Sequence, residues 1–373
     1  MTKPIRVLMV NYKMQCAGIE SFIMNMYRNI DREKVKIDFL VHYSERQFYD
    51  DEIERMGGKI YRLSIREDNN FIKYKLELNK FFNNHPEYKI VHGHMESFGV
   101  FYLREAKKNG IPIRVAHSHI AKRNSGIKGY MKSVLNMFYK TYATHLFACS
   151  IDSGKFIFGR KENFIVYNNA IDVDKFKFNK DVSDNIRTEF DINNNFVIGH
   201  VGRFNTQKNH IFLIKVFNEV HKRNDKVTLL LLGEGELENE IKNMVKKLGL
   251  ENNIKFLGVR SDMDRIYQAM DLFILPSLFE GLPVSAIEAQ AAGLKCILSD
   301  RITKETTMTD NIEYLSLNSG LSKWANEILK YNNNYERKDT SKLIKLSGYD
   351  IKSQAKQLQD FYCDSYKEWC ENE

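Results

Sequence analysis

Short apolar runs alternate along this chain with longer stretches in which apolar residues return every three or four positions. Ile5–Val10, Val35–Val41, Lys59–Leu63, Lys89–His92, Ile113–His117, His145–Cys149 and Phe164–Tyr167 have the length and β-branched content of strands. Helical spacing lies between most of them, as in Ile19–Ile30, Phe71–Asn83 and Ser97–Lys108. Asn168–Phe178 is polar and turn-rich, and is expected to be a linker. A second series then starts, with strands over Phe196–Val201, Val227–Leu232, Ile254–Leu257, Leu272–Leu275, Cys296–Leu298 and Glu313–Leu317. Helices are expected over Asn209–Lys222, Leu237–Lys247, Met263–Ala269 and Val284–Ala292. Repeated β-α-β units predict two α/β domains, each a parallel sheet covered by helices, with a ligand cleft at the domain interface. Tyr349–Glu373 has Ile351, Ala355, Leu358, Phe361, Tyr362 and Trp369 on one side, the pattern of an amphipathic helix with a buried face.

One stretch organises the second half: Leu275–Gly293, L-P-S-L-F-E-G-L-P-V-S-A-I-E-A-Q-A-A-G. A buried strand ends at Pro276-Ser277, Pro283 suits the first turn of a helix, and Gly293 stops that helix. Glu280 then lies in a strand-to-helix loop and Glu288 on the helix, near the carboxyl end of a sheet, where open α/β sheets bind ligands. Such a pair of acids suits a glycosidase, a metal site or the hydroxyl groups of a sugar-like ligand. Further Asp, Glu or His ligands for a metal are absent from the stretch, and spacing does not establish a glycosidase pair. The plainer alternative is two solvated glutamates.

Other residues at strand ends carry candidate chemistry. Val201–Asn209 (V-G-R-F-N-T-Q-K-N) sets Arg203 and Lys208 beside a helix N-terminus, an arrangement that neutralises a diphosphate leaving group, or else a solvated basic loop. Gly233-Glu234-Gly235 is a tight turn after a strand, and Gly258-Val259 follows another. Gly18 opens a helix with Glu20 in its first turn, where an acid favours the dipole. Two histidine pairs, His92/His94 and His117/His119, sit at strand ends; zinc would need completing ligands that neither pair supplies.

F-E-G-L-P-V-S-A-I-E-A-Q-A-A-G resembles the E-x7-E signature of retaining nucleotide-sugar glycosyltransferases, specifically glycosyltransferase family 4 with the GT-B fold. The G-R-x-x-x-x-K-N, G-x-G and F-x-G segments follow in that family's order, and C-A-G-I-E stands where the family has G-G-x-E. The resemblance implies two Rossmann-like domains facing a central cleft: residues 1–170 with a returning C-terminal helix at 352–373, and residues 171–351. It implies that Glu280, with Gly281, Leu282 and Pro283, holds the donor sugar and that Glu288 holds the ribose. By the same resemblance Gly18, Arg203 and Lys208 bind the diphosphate, and Gly233, Gly258 and Val259 line the nucleotide. His119 corresponds to the histidine beside the donor sugar and, with Glu280, is the expected catalytic residue. His94 and His117 are acceptor-side candidates.

Composition narrows the setting. Hydrophobic content of 43% with 28% charged residues is that of a globular protein, and no apolar run reaches the roughly 18 residues of a membrane span. The N-terminus lacks a signal-peptide pattern, and five cysteines without a C-x-x-C pair read as reduced, mostly buried thiols, so a cytoplasmic setting is expected. The net charge of +8 is uneven: residues 1–170 hold 28 Lys and Arg against 17 Asp and Glu, and residues 101–161 hold 12 against 2. Such an imbalance asks for an anionic partner. Ala121–Lys140 combines Lys122, Arg123, Lys128 and Lys132 with aromatics, as an amphipathic segment docking on anionic lipid at the inner membrane face would, or as a solvated helix would. The expected activity is retaining transfer of a hexose or N-acetylhexosamine from a nucleotide sugar, UDP-linked by choice, to a lipid-linked saccharide of capsule or exopolysaccharide, with no metal or other cofactor. The alternative from another class is a non-catalytic nucleotide or nucleic-acid binder, although no groove-reading motif or single-strand platform is evident.

Overall fold

A computed structural model describes residues 3–15, 18–63, 70–120, 126–332 and 335–373. The chain divides into two compact units, Met1–Ala170 with Ile351–Glu373, and Ile171–Asp350. In the first, strands β1 (Ile5–Val10), β2 (Val35–Val41), β3 (Ile60–Arg62), β4 (Ile90–Gly93), β5 (Ile113–Ser118), β6 (His145–Ala148) and β7 (Ile165–Val166) form one parallel sheet in the order β3-β2-β1-β4-β5-β6-β7. Strand β1 can be apolar on both faces, with Val7 and Met9 on one and Leu8 and Val10 on the other, because helices cover both. Helices Gly18–Asn29 and Ile351–Asn372 pack on one face of the sheet; Phe71–Asn84, Gly99–Lys108 and Gly126–Tyr142 build the core of the other. The C-terminal helix thus returns to the first unit, burying Ile351, Ala355, Leu358 and Tyr362.

The second unit repeats the scheme. Strands β8 (Phe196–Val201), β9 (Val227–Leu232), β10 (Ile254–Gly258), β11 (Leu272–Leu275), β12 (Lys295–Ser299) and β13 (Ile312–Leu315) are parallel in the order β10-β9-β8-β11-β12-β13. Each sheet reverses its winding direction once, between β1 and β4 and between β8 and β11. Loops leaving the two strands at such a point diverge, which opens a crevice at their carboxyl ends. Both units are therefore Rossmann-like, the GT-B pair of domains.

Several local expectations shift. The stretch expected as a linker already contributes to the second unit: Ile171 bridges to Asp350, and Val173–Phe176 is a short helix. Pro283 is the N-cap rather than the first helical residue, with Val284 beginning the helix. Lys180–Glu189 is a helix although it is strongly polar; Asn179 caps it by accepting from the Val182 amide, and Ser183 and Ile186 supply its buried side. The cysteines are not mostly buried. Among those described only Cys296 is: Cys149, just past a strand, and Cys363, at the edge of the first unit's core, are half-buried, and Cys370 is exposed. Among the described residues no helix is long and apolar enough to cross a membrane.

Candidate active site

The crevice between β8 and β11 gathers most of the residues singled out in the second half. The loop after β8 starts with Gly202, and Gly233 after β9 comes so near that a Cβ there would stand 2.3 Å from the Gly202 carbonyl oxygen. Gly233 adopts φ +127°, so both its conformation and its space require glycine. Gly202 in turn gives room to Lys208, whose Cδ would lie 2.8 Å from a Cβ at 202. Lys208 is folded back under the loop and its Nζ meets Glu280 Oε1 at 2.8 Å, with the side chains 15% and 9% exposed. Gln207 Nε2 donates to Glu280 Oε2 at 3.0 Å and lies 3.1 Å from the Phe279 carbonyl. The Leu278 amide donates to the Gln207 carbonyl at 2.8 Å, and Asn209 Nδ2 to the Pro276 carbonyl at 3.1 Å. Glu280 is therefore clamped, one oxygen per neighbour, and the two loops form a single structure.

Asn209 is left-handed at φ +58° and caps the twelve-residue helix His210–His221, turning the Lys208 end of the loop toward its N-terminus. The amides of that first turn and the Lys208 ammonium together present positive potential. Arg203 stands apart from this arrangement, its side chain 71% exposed and 3.5 Å from Glu236. The two cations that sequence placed side by side thus have different surroundings, one buried and paired, one in solvent.

Glu288 lies on helix Val284–Ala291, one turn inside its N-terminus. Burial pushes its carboxyl up to about 7, against the opposing effect of the Tyr267 hydroxyl 3.0 Å from Oε2. Near neutrality it can hold or release a proton and accepts hydrogen bonds strongly once ionised. Leu282 packs against the core, Pro283 is buried, and Gly281 faces open space. Gly258 takes φ +66° at the end of β10, its carbonyl accepting from the Gly233 amide at 2.9 Å, and Val259 beyond it is 52% exposed.

In the first unit all four histidines come together at the carboxyl ends of β4 and β5. The rings of His92 and His94 stack at 4.5 Å and 14°, and those of His117 and His119 at 4.5 Å and 16°. His92 Nε2 lies 3.0 Å from His117 Nδ1, and His94 Nδ1 lies 2.8 Å from His119 Nε2. Tyr362 from the C-terminal helix closes one end, its hydroxyl 2.5 Å from His92 Nδ1; Met9 closes the other, with Sδ 2.9 Å from His94 Nε2. Burial holds all four rings neutral, with His92 and His119 lowered to about 3 and His94 and His117 well below the usual imidazole range. His92, His94 and His117 offer nitrogens within 4.8 Å of one another. Those nitrogens are engaged with one another and with their neighbours: His92 Nε2 faces His117 Nδ1, and His94 uses its two nitrogens toward His119 and Met9, so the cluster is a hydrogen-bonded array. His94 and His117 are fully buried, whereas His119 is partly exposed, so a ligand at this end of the sheet meets His119 first.

Gly18 begins helix Gly18–Asn29, and a Cβ there would meet nothing within 4 Å. Lys122 and Arg123 lie outside the described residues, and Lys128 and Lys132 lie in helix Gly126–Tyr142 with their side chains outside the description. Sequence reasoning missed Gln207, Tyr267, Met9 and Tyr362. Gln207 stood inside a stretch already singled out, while Met9 and Tyr362 carry no local signal because only folding brings them to the histidines.

Comparison with known proteins bears on the family and the fold. Residues 182–340 match the model of the family described as glycosyl transferases group 1. The putative glycosyltransferase EpsF of Bacillus subtilis is 33% identical over 334 residues, 87% of each chain. An Escherichia coli UDP-Gal:alpha-D-GlcNAc-diphosphoundecaprenol alpha-1,3-galactosyltransferase is 27% identical over 298 residues, 74% of this chain and 76% of that one. Among solved structures, Anabaena Alr3699/HepE in complex with UDP superposes with a TM-score of 0.77 at 18% identity, over 96% of this chain and all of that one. A third of the residues shared with one relative over seven-eighths of both chains, on a fold of two Rossmann-like units, places this protein in the group 1 glycosyl transferase family and makes it a glycosyltransferase.

Proposed function

We propose that the protein transfers a hexose or N-acetylhexosamine from a UDP-sugar to a lipid-linked saccharide, with retention of configuration, in the assembly of a surface polysaccharide. The observation that carries this reading is the Lys208–Glu280 pair, held by Gln207 at the winding reversal of the second sheet. A carboxylate clamped in that way accepts hydrogen bonds from sugar hydroxyls, and the ammonium beside it, with the helix N-terminus at His210, stabilises the charge that develops on a departing diphosphate. In this reading Arg203 closes over the diphosphate from solvent, Gly18 adds backbone donors, and Gly233, Gly258 and Val259 flank the nucleotide. Glu288 takes the ribose and His119 the donor sugar. Diphosphate neutralisation by protein cations calls for no metal. The choice of UDP draws support from the UDP held by Alr3699/HepE, and the choice of acceptor from the diphosphoundecaprenol-linked substrate named for the E. coli relative.

An acceptor of that kind sits in a membrane. The excess of 12 basic over 2 acidic residues in 101–161 suits docking on the inner membrane face through the segment with Lys122, Arg123, Lys128 and Lys132. A nucleic-acid binder is disfavoured, since the family is one of transferases.

The test is thermal stabilisation and slow donor hydrolysis across UDP-, GDP- and ADP-sugars. UDP is expected to raise the melting temperature, and one UDP-sugar to be hydrolysed at a rate that falls about 100-fold or more in Glu280→Gln, as for loss of a transition-state contact. Stabilisation by GDP or ADP alone would overturn the nucleotide, and full activity in Glu280→Gln would overturn the role of the pair.

A further inference from the structure

His94 and His119 share one hydrogen bond, so one of the two facing nitrogens carries a proton and the other a lone pair. The far end of His94 settles which. Its Nε2 lies against Met9 Sδ, a thioether that can only accept. Two lone pairs facing each other 2.9 Å apart would repel, so Nε2 of His94 bears the hydrogen. His94 is neutral, because burial disfavours its charged form, and therefore has only that one ring proton. Its Nδ1 is then an acceptor, His119 must donate through Nε2, and the neutral His119 keeps a lone pair on Nδ1. Nδ1 of His119 has no hydrogen-bond partner among the described residues, and the ring is partly exposed at the end of the sheet. The His119 amide donates to Glu96 Oε1 at 2.9 Å, which fixes the backbone of this position as well.

We propose that Met9 and His94 are positioning residues that set the tautomer of His119, so that His119 meets its ligand as a hydrogen-bond acceptor, taking a proton donor such as a saccharide hydroxyl and not a carbonyl or phosphate oxygen. The other pair obeys the same chemistry. If Tyr362 donates to His92 Nδ1, then His92 Nε2 donates to His117 Nδ1, and both chains carry their protons from strand to strand in a defined sense. The identity of the ligand as a sugar rests on the function proposed above; the tautomer does not.

Two measurements separate these. In protein labelled with ¹⁵N-histidine and free of ligand, long-range ¹H–¹⁵N spectra distinguish protonated from lone-pair ring nitrogens, and the His119 signals are assigned by their loss in His119→Asn. Nδ1 of His119 is expected at the lone-pair position and Nε2 at the protonated one; the reverse pattern overturns the proposal, whatever the enzyme's substrate proves to be. Met9→Leu keeps the volume but removes the acceptor, so His94 should move its proton to Nδ1 and drive His119 into the opposite tautomer. The two His119 signals should then exchange character, and kcat/KM for sugar transfer should fall about tenfold, the worth of one ordinary hydrogen bond, with the melting temperature little changed. An unaltered tautomer in folded Met9→Leu would show that the thioether does not set it. A switched tautomer with unaltered kcat/KM would overturn the acceptor role while leaving the transferase reading intact.

Discussion

Glu288 titrates near 4.5 in an unfolded chain and is pushed up to about 7 in the folded one by burial on helix Val284–Ala291. Between those values the unfolded chain gives up its proton first, so the stability this group contributes is complete below about 4.5 and is lost as pH rises through about 7. The two and a half units between the printed values correspond to about 3 kcal/mol at most. In the unliganded protein Glu288→Gln should abolish this part of the slope, seen as a smaller fall in the second unit's unfolding free energy between pH 5 and pH 8. An equal fall in variant and wild type would remove Glu288 as its source. The sequence made both glutamates and Lys208 legible as candidates, because acids and cations at the ends of apolar strands have few structural uses. It could not divide their labour. Glu280 is held by an ammonium and an amide, Glu288 by a phenol in an apolar setting, and that difference comes from neighbours 72 or 73 residues away for Glu280 and 21 away for Glu288.

Among elements, the loops after β8 and β9 pose a sharper constraint than any side chain. Gly233→Ala places a Cβ against the Gly202 carbonyl in a conformation that side-chain-bearing residues rarely adopt. Backbone cannot yield as a side chain does, so a cost on the order of 2–4 kcal/mol is expected in chemical denaturation of the second unit. Gly202→Ala should behave differently. There the added Cβ meets the methylene stem of Lys208, which can swing away from Glu280, so nucleotide binding should weaken more than stability does. Comparable stability losses in both variants would contradict this division. Strand positions were legible because a doubly covered parallel strand must be largely apolar, as β9 is, buried at all six positions with Thr228 its one polar residue. Helices such as Lys180–Glu189 escaped because a helix lying on a unit's edge needs only one or two buried positions, too few to set a period.

Across the whole molecule, the histidines make acid stability unequal. Five rings in the first unit, the four of the cluster and His145, and His200 and His210 in the second are held below the usual imidazole range by burial, His210 at about 4. The unfolded chain takes up these protons below about 6.5 while the folded one does not, so stability present above 6.5 is lost as pH falls. Five such groups cost up to about 7 kcal/mol per pH unit, and two about 3 kcal/mol. The first unit should therefore unfold at a higher pH than the second, which also gains from Glu288 over the same range. The two tryptophans report this separately, Trp369 in the first unit and Trp324 buried in the second. Trp324→Phe should leave an early fluorescence transition on acidification and Trp369→Phe a late one; coincident transitions would refute it.

By itself the sequence determined the class of this protein: two series of doubly covered strands, and the acids, cations and glycines at the strand ends where such sheets bind ligands. Those features follow from the period of apolar residues and from local backbone chemistry, which neighbouring residues settle among themselves. Only tertiary structure decided the states of those groups. Which cation is buried, which glutamate holds a proton near neutrality, and which nitrogen of His119 faces a ligand all depend on partners brought from distant sequence: Gln207 and Lys208 to Glu280, Tyr267 to Glu288, and Met9 through His94 to His119. Desolvation and hydrogen bonding act through space, and they exist only once the chain has folded.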